Sequence, residues 1–207
     1  MFLNIEREKI QLGHRYIAGL DEAGSGPLAG PCVAAAVIIP QELWDQPEIM
    51  EAWDDSKKIS PKKRQKLYEE ITSQTIWAVA SSTAAEIDRL NIRQAVYLAM
   101  ERAVNNLAIK PDLLLVDAWH LDFWQGEQMA IVSGDARVKS IAAASILAKV
   151  HRDNLMVELD QEYPDYGFAR HKGYPTKAHY QAIFEHGICP QHRQKFLRTL
   201  NKHRNDR

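Results

Sequence analysis

The chain has 207 residues, 45% hydrophobic and 26% charged, with 26 Lys and Arg against 27 Asp and Glu for a net charge of −1. This composition excludes a disordered chain, and a domain of this size buries roughly 70% of its unfolded surface without needing disulfides or a structural metal. Cys32 and Cys189 share no spacing motif, no apolar run is long enough to span a bilayer, and the first residues lack a signal-peptide pattern, so a cytoplasmic, reducing compartment is expected.

Residues 16–20 are apolar and are followed by Asp21, Glu22 and then glycines, the pattern of a buried strand ending in a loop. Residues 33–39 read as a second strand stopped by Pro40. Ser60 and Pro61, ahead of Leu67 and Ile71, predict a helix with Ser as N-cap and Pro in the first turn. Residues 75–81 read as a third strand. Thr83 and Glu86 form a capping-box pattern that opens one helix or two, running to about Asn106. Residues 113–116 and 129–132 are continuous apolar runs, the mark of strands buried on both faces, and they end at Asp117 and near Asp135. An alanine-rich helical pattern over 137–163 stops before Pro164. Residues 166–175 read as a glycine-containing loop, and two short basic helices follow, the first capped by Thr176. These connections predict an α/β fold with a mixed five-stranded sheet that begins antiparallel and ends parallel. Residues 1–163 are expected to form the main domain, with 164–207 a basic helical extension packed on it.

The near-neutral total hides an asymmetry. From Phe168 to Arg207 there are nine Lys and Arg against two acids, a net of +7, and the preceding 167 residues carry 17 against 25, a net of −8. A basic surface beside an acidic one suits phosphates and metal ions respectively; a merely solvated basic helix is the plainer alternative.

The acids fall at informative places. Asp21 and Glu22 follow strand one, Asp117 ends strand four, and Asp135 follows strand five. In open sheets of this kind ligands bind beyond the carboxyl ends of parallel strands, so parallel pairing of strands one and four would bring Asp21 and Asp117 face to face. Carboxylates at close range need a cation or a proton between them, and an oxygen-only donor set suits Mg²⁺ or Mn²⁺. Capping of a turn by Asp117 and of the long helix by Asp135 are the competing structural readings. Asp54 and Asp55 adjoin Lys57 and Lys58, where internal charge pairing is expected.

Gly24, Gly26 and Ala29 match the spacing of a dinucleotide-binding fingerprint, but a β-branched strand follows where that motif needs a helix. The other reading is a loop that brings backbone N–H groups against a hydroxyl or phosphate of a sugar-phosphate chain. His186, Cys189 and His192 have a zinc-like spacing without an evident fourth ligand.

The motifs AGLDEAG (18–24), GPLAG (26–30), DSKK (55–58), LVD (115–117), GD (134–135), SIAAASILAKV (140–150) and YGFARHKGYPT (166–176) occur together in this order. In them the chain resembles the type 2 ribonuclease H family, in its bacterial ribonuclease HII branch, over about residues 16–196. The resemblance implies a ribonuclease H-like sheet and an endonuclease that cuts on the 5′ side of ribonucleotides, in RNA–DNA hybrids and at single ribonucleotides in duplex DNA. The products would carry 3′-hydroxyl and 5′-phosphate ends, and the role would be removal of ribonucleotides from DNA. It implies Asp21, Glu22, Asp117 and Asp135 as catalytic acids, the first three as ligands of Mn²⁺ or Mg²⁺ in a two-metal mechanism. The loop of Gly24, Ser25 and Gly26 would contact the ribose 2′-hydroxyl, and Tyr174 would pack against the sugar on the 3′ side. Lys57, Lys58, Lys149, Arg170 and Lys172 become candidates for phosphate contact, in a monomer that works away from membranes. Two departures stand out: Ser25 lies where the family has Arg, and Ser133 where it commonly has a basic residue, which puts substrate affinity or junction preference in question. A noncatalytic binder of hybrid duplexes is the alternative that these departures raise.

Overall fold

The computed structural model describes residues 5–54, 56, 57 and 59–198. Five strands, β1 (Ile17–Ala23), β2 (Cys32–Ile38), β3 (Ile76–Ser82), β4 (Leu113–Asp117) and β5 (Glu127–Ile131), form one sheet in the order β3-β2-β1-β4-β5. The pairs β1/β2 and β2/β3 are antiparallel, whereas β1/β4 and β4/β5 are parallel, as the connection lengths predict. Around the sheet lie α1 (Ile5–Gln11), α2 (Pro61–Gln74), α3 (Ala84–Leu90), α4 (Ile92–Asn105), α5 (Lys139–Glu162), α6 (Phe168–His171) and α7 (Lys177–His186).

β2 is buried along its whole length because both faces of the sheet are covered. Its side chains alternate between two cores: Ala34, Ala36 and Ile38 pack with Ala95, Ala99 and Met100 of α4, and Val33, Ala35 and Val37 pack with Ala143, Ile146 and Leu147 of α5. The small residues of this chain set the approach of α5 to the sheet. A Cβ on Gly19 would stand 2.3 Å from the backbone carbon of Ser140, so only glycine lets α5 lie directly on β1. The start of α5 has no capping side chain of its own. Glu6 of α1 supplies one from a distance, accepting from the Ser140 N–H and hydroxyl at 3.0 Å each.

The capping-box region resolves into two helices. Thr83 and Glu86 cap α3 reciprocally, and Asn91, with φ of 77°, breaks the run and caps α4 with its side chain. The stretch 166–175 differs from the expected plain loop. Gly167 adopts a left-handed conformation, and burial of Phe168 on the core draws the next residues into the single turn of α6. Thr176 caps α7 as expected, accepting from the His179 N–H. Of the second basic helix, residues 194–198 form a 3₁₀ helix, and the rest of the basic stretch lies outside the described residues.

Candidate active site

The register of β1 against β4 pairs Gly19 with Leu115 and Leu20 with Val116. Two residues beyond Gly19 and Leu115, and on the same face as that pair, Asp21 and Asp117 emerge from adjoining parallel strands, whose spacing in a sheet is about 4.8 Å. The parallel pairing stops there, but β1 continues against β2, with Asp21 opposite Ala35 and Glu22 opposite Ala34. The two acids therefore sit inside a strand and not, as expected, just after it. Strand alternation sends them to different neighbours: Asp21 lies beside Ser145 of α5, whose hydroxyl bonds Ser56 Oγ at 2.9 Å, and Glu22 lies beside the Trp119 indole. Asp117 Oδ1 accepts the Gly134 N–H at 2.7 Å, which ties it to the turn Gly134–Ala136 that carries Asp135. Asp135 is buried, with Oδ2 4.0 Å from Lys57 Nζ. Neither capping alternative matches these contacts, since Val138 is the N-cap residue of α5 and Asp117 reaches across to the β5–α5 connection.

Burial, then the charges of Glu22 and Asp117, hold the Asp21 carboxyl well above the usual carboxylate range. Burial and Asp117 push Glu22 up to about 7. Glu22 Oε2 is buried with no hydrogen-bond partner among the described residues. An orphaned carboxylate oxygen and mutually repelling acids are what a hard cation relieves, so this oxygen-only set fits Mg²⁺ or Mn²⁺. Among the described residues no three His, Cys, Asp or Glu side chains are grouped so that they could hold a metal ion by themselves. The acids suit an open site, where water and phosphate oxygens complete the shell.

Next to the acids, residues 24–31 form a loop bound on its inner side by two buried arginines. Arg193, 0% exposed, donates to the carbonyls of Gly24 (2.7 Å), Ser25 (3.4 Å), Pro27 (2.9 Å), Gly30 (2.8 Å) and Pro31 (3.1 Å). Arg152 of α5 donates to Pro31 (3.0 Å), Ala29 (3.3 Å) and Lys172 (3.0 Å) carbonyls. Burial lowers Arg193 to about 10, which leaves it cationic at neutral pH. Gly24 has φ of +98°, and a Cβ there would meet Arg152 Nε at 2.1 Å. Gly26 has neither constraint: a Cβ would meet nothing within 4 Å.

Tyr174 closes the same region. Its N–H donates to His171 O (2.9 Å), and its carbonyl accepts from the Thr176 N–H (2.8 Å) and from His179 Nδ1–H (3.0 Å), while the side chain stays 41% exposed. Lys149 Nζ and the Arg152 guanidinium each lie 5.8 Å from its ring. The basic candidates divide. Lys57 and Arg170 are exposed, Lys149 is paired with Asp153 at 2.7 Å, the Lys172 ammonium donates to the Ala169 carbonyl, and Lys58 lies outside the described residues. The zinc-like spacing serves another purpose, because both ring nitrogens of His192 are engaged, by the Cys189 N–H (3.0 Å) and by His179 Nε2 (3.1 Å).

The family profile described as Ribonuclease HII matches residues 18–200. The chain belongs to the ribonuclease HII family. It is 52% identical over 194 residues to ribonuclease HII of Desulfitobacterium hafniense, covering 92% of this chain and 73% of that protein. The crystal structure of ribonuclease H2 from Pyrococcus horikoshii superposes with a TM-score of 0.75 at 26% identity, over 91% of this chain and 98% of the other. Bst-RNase HIII in complex with Mn²⁺ shares the fold, with a TM-score of 0.65 at 18% identity over 90% of this chain and 66% of that one. As a ribonuclease HII, the chain is a ribonuclease H hydrolase and an endonuclease, from a family that depends on divalent metal and acts on RNA–DNA substrates.

Several residues of this ribonuclease HII site carry little signal in the sequence. Ser145 could have been found, as a hydroxyl on the buried, alanine-rich face of α5. Trp119 stands two residues beyond Asp117, on a chain turned by Ala118 at φ of 57°. Arg152 and Arg193 look like any other surface cations until the fold buries them.

Proposed function

We propose that this ribonuclease HII hydrolyses the phosphodiester on the 5′ side of a ribonucleotide, both in RNA–DNA hybrids and at single ribonucleotides within duplex DNA. The products carry 3′-hydroxyl and 5′-phosphate ends, and the biological role is removal of ribonucleotides from DNA. The observation that carries this reading is the meeting of Asp21 and Asp117 on adjoining parallel strands, beside a glycine loop whose outer side is exposed.

Asp21, Glu22 and Asp117 are the residues that would hold Mg²⁺ or Mn²⁺. When bound, the cation supplies activation of water and stabilisation of the departing oxygen. The chain's own groups do the rest. Asp135, with Lys57 beside it, orients the attacking water. The outer backbone of residues 24–26 meets the ribose 2′-hydroxyl, the group that separates RNA from DNA. Tyr174 offers an aromatic face to the neighbouring sugar, with Lys149 and Arg152 alongside. Lys57, Arg170, Lys149 and Lys172 face the phosphate chain, the last two after exchanging their internal partners, and a neutral Ser25 leaves the loop without a phosphate-pairing guanidinium.

The test is cleavage of three duplexes, containing one ribonucleotide, an RNA strand, or DNA only, in Mg²⁺ and in Mn²⁺, mapped to the nucleotide. Cutting 5′ to the ribonucleotide in the first two and not in the third is expected; cutting of the all-DNA duplex, or 2′,3′-cyclic phosphate ends, would refute the reading.

The two glycines give a paired prediction. Gly24→Ala should cost about 2 kcal/mol or more, because it places a side chain in a left-handed conformation and against Arg152. Gly26→Ala should change stability by less than ~0.5 kcal/mol. It should nonetheless weaken binding of the ribonucleotide-containing duplex by about tenfold, because the methyl group enters the space left for the sugar. Melting curves and binding isotherms of the two variants decide it.

A further inference from the structure

The buried guanidinium of Arg193 makes an unusual set of contacts. Its hydrogen bonds go to main-chain carbonyls of one loop, those of Gly24, Ser25, Pro27, Gly30 and Pro31. Among the described residues no peptide bond is cis. In a trans peptide the N–H points away from its C=O. Holding the Gly24 carbonyl inward therefore aims the Ser25 N–H outward, and holding the Ser25 carbonyl inward aims the Gly26 N–H outward. Elsewhere in the loop the corresponding N–H groups find protein acceptors: Leu28 donates to Gly173 O at 2.8 Å and Gly30 to Gln191 O at 2.9 Å. The N–H groups of Ser25 and Gly26 have no such acceptor among the described residues, and both residues are exposed.

Gly26 supplies an independent observation. It has no left-handed backbone to explain a glycine and no neighbour that a Cβ would touch. Among the described residues nothing requires the missing side chain. The open space lies beside the two outward donors, where an incoming group needs it.

We infer that Arg193 is a positioning residue for sugar selection, a rigid five-donor fork that turns the Ser25 and Gly26 N–H groups toward the 2′-oxygen of the substrate. This rests on the proposed contact between the loop and the ribose. A lysine cannot replace it, because an ammonium has three donors with no fixed planar arrangement and cannot hold carbonyls along eight residues of loop. The cation sits on the C-terminal basic stretch, so part of that stretch is bonded to the glycine loop and unavailable to the duplex.

The experiment measures affinity for a duplex with one ribonucleotide and for the all-DNA duplex of the same sequence, using Asp135→Asn to suppress cleavage, with and without Arg193→Lys. The expected result is a fall of about tenfold in the ratio of the two affinities, with binding of the all-DNA duplex nearly unchanged. Equal weakening on both duplexes would assign Arg193 a general structural role and overturn the inference. If the Asp135→Asn protein itself does not distinguish the duplexes, the sugar reading fails and the inference falls with it; discrimination kept by Arg193→Lys overturns the inference alone. Should Arg193→Lys fail to fold, amide signals of the parent protein decide. Those of Ser25 and Gly26 should shift on titration with the ribonucleotide duplex and not with the DNA duplex, and signals that move equally with both would overturn it.

Discussion

Asp21→Asn is expected to lower cleavage by about 10³-fold, the order that follows from losing several kcal/mol of charge stabilisation, and at the same time to stabilise the cation-free fold. The second effect follows from sign. The folded protein holds the Asp21 carboxyl well above its ordinary value of 3.8 through burial and the charges of Glu22 and Asp117. A carboxyl raised in the folded state favours folding while protonated, and this contribution is lost as pH rises from the unfolded value through the folded one. Each unit of displacement is worth about 1.4 kcal/mol at neutral pH. Asparagine keeps the shape but carries no charge to repel its neighbours. Melting curves in chelator at pH 8 should show the variant above the parent by a few degrees, and the gap should close near pH 4. A variant that melts lower at pH 8, or that cleaves at the parental rate, would count against both the repulsion and the role. Adding Mn²⁺ should raise the melting temperature of the parent and have a smaller effect on the variant, because the cation relieves the repulsion that asparagine has already removed.

Fold and site were legible in the sequence to different depths. The mixed sheet, antiparallel at first and parallel later, followed from apolar runs and connection lengths. The meeting of Asp21 and Asp117 was conditional on parallel pairing of strands one and four, and the fold supplies that pairing. Local chemistry also marked the caps at Ser60, Thr83 and Thr176, since a cap is a contact within a few residues. Strand pairing changes what such runs mean at their ends: Asp21 and Glu22 are in the strand because Ala35 and Ala34 on β2 continue to pair with them. The stretch 166–175 read as loop because its glycines outweighed Phe168, whose burial against residues of other segments produces a helical turn. Least legible were the arginines. Arg193 lies 169 positions from Gly24, whose carbonyl it holds, and nothing local separates a cation that bonds a distant loop from one in water. The +7 stretch thus holds at least one charge with a purely internal partner set, and charge counting alone assigned it to the duplex.

His179→Gln is expected to reduce the acid sensitivity of the protein and to loosen Tyr174 at neutral pH. Hydrogen bonding fixes one arrangement of protons in this cluster. The Cys189 N–H donates to His192 Nδ1 at 3.0 Å, which leaves the proton of that ring on Nε2. His192 Nε2–H then donates to His179 Nε2 at 3.1 Å, and His179 Nδ1–H donates to the Tyr174 carbonyl at 3.0 Å. Both rings must be neutral, because a proton added to His179 Nε2 would face the one on His192. Other neighbours include the His171 ring, stacked at 4.3 Å on His179, and the rings of Phe168 and Tyr166, at 5.7 Å and 4.9 Å from His192. Burial is the main cause that lowers His179 and His192 to about 4. A histidine depressed in the folded state contributes stability that is present above its unfolded value near 6.5 and is lost as pH falls through about 4. Each proton taken up on unfolding steepens the loss by about 1.4 kcal/mol per pH unit. Glu22 works in the opposite direction within the same window, since its carboxyl, at about 7 in the folded state, favours folding as pH falls. The difference between variant and parent therefore isolates the imidazole. Urea unfolding at intervals from pH 7 to 4.5 should give the variant a slope shallower by about one proton, and kcat/KM on a single-ribonucleotide duplex at pH 7 should fall several-fold as the Tyr174 carbonyl loses its ring donor. Parallel pH slopes would show that His179 titrates freely in the folded protein, and an unchanged kcat/KM would separate the cluster from the placement of Tyr174.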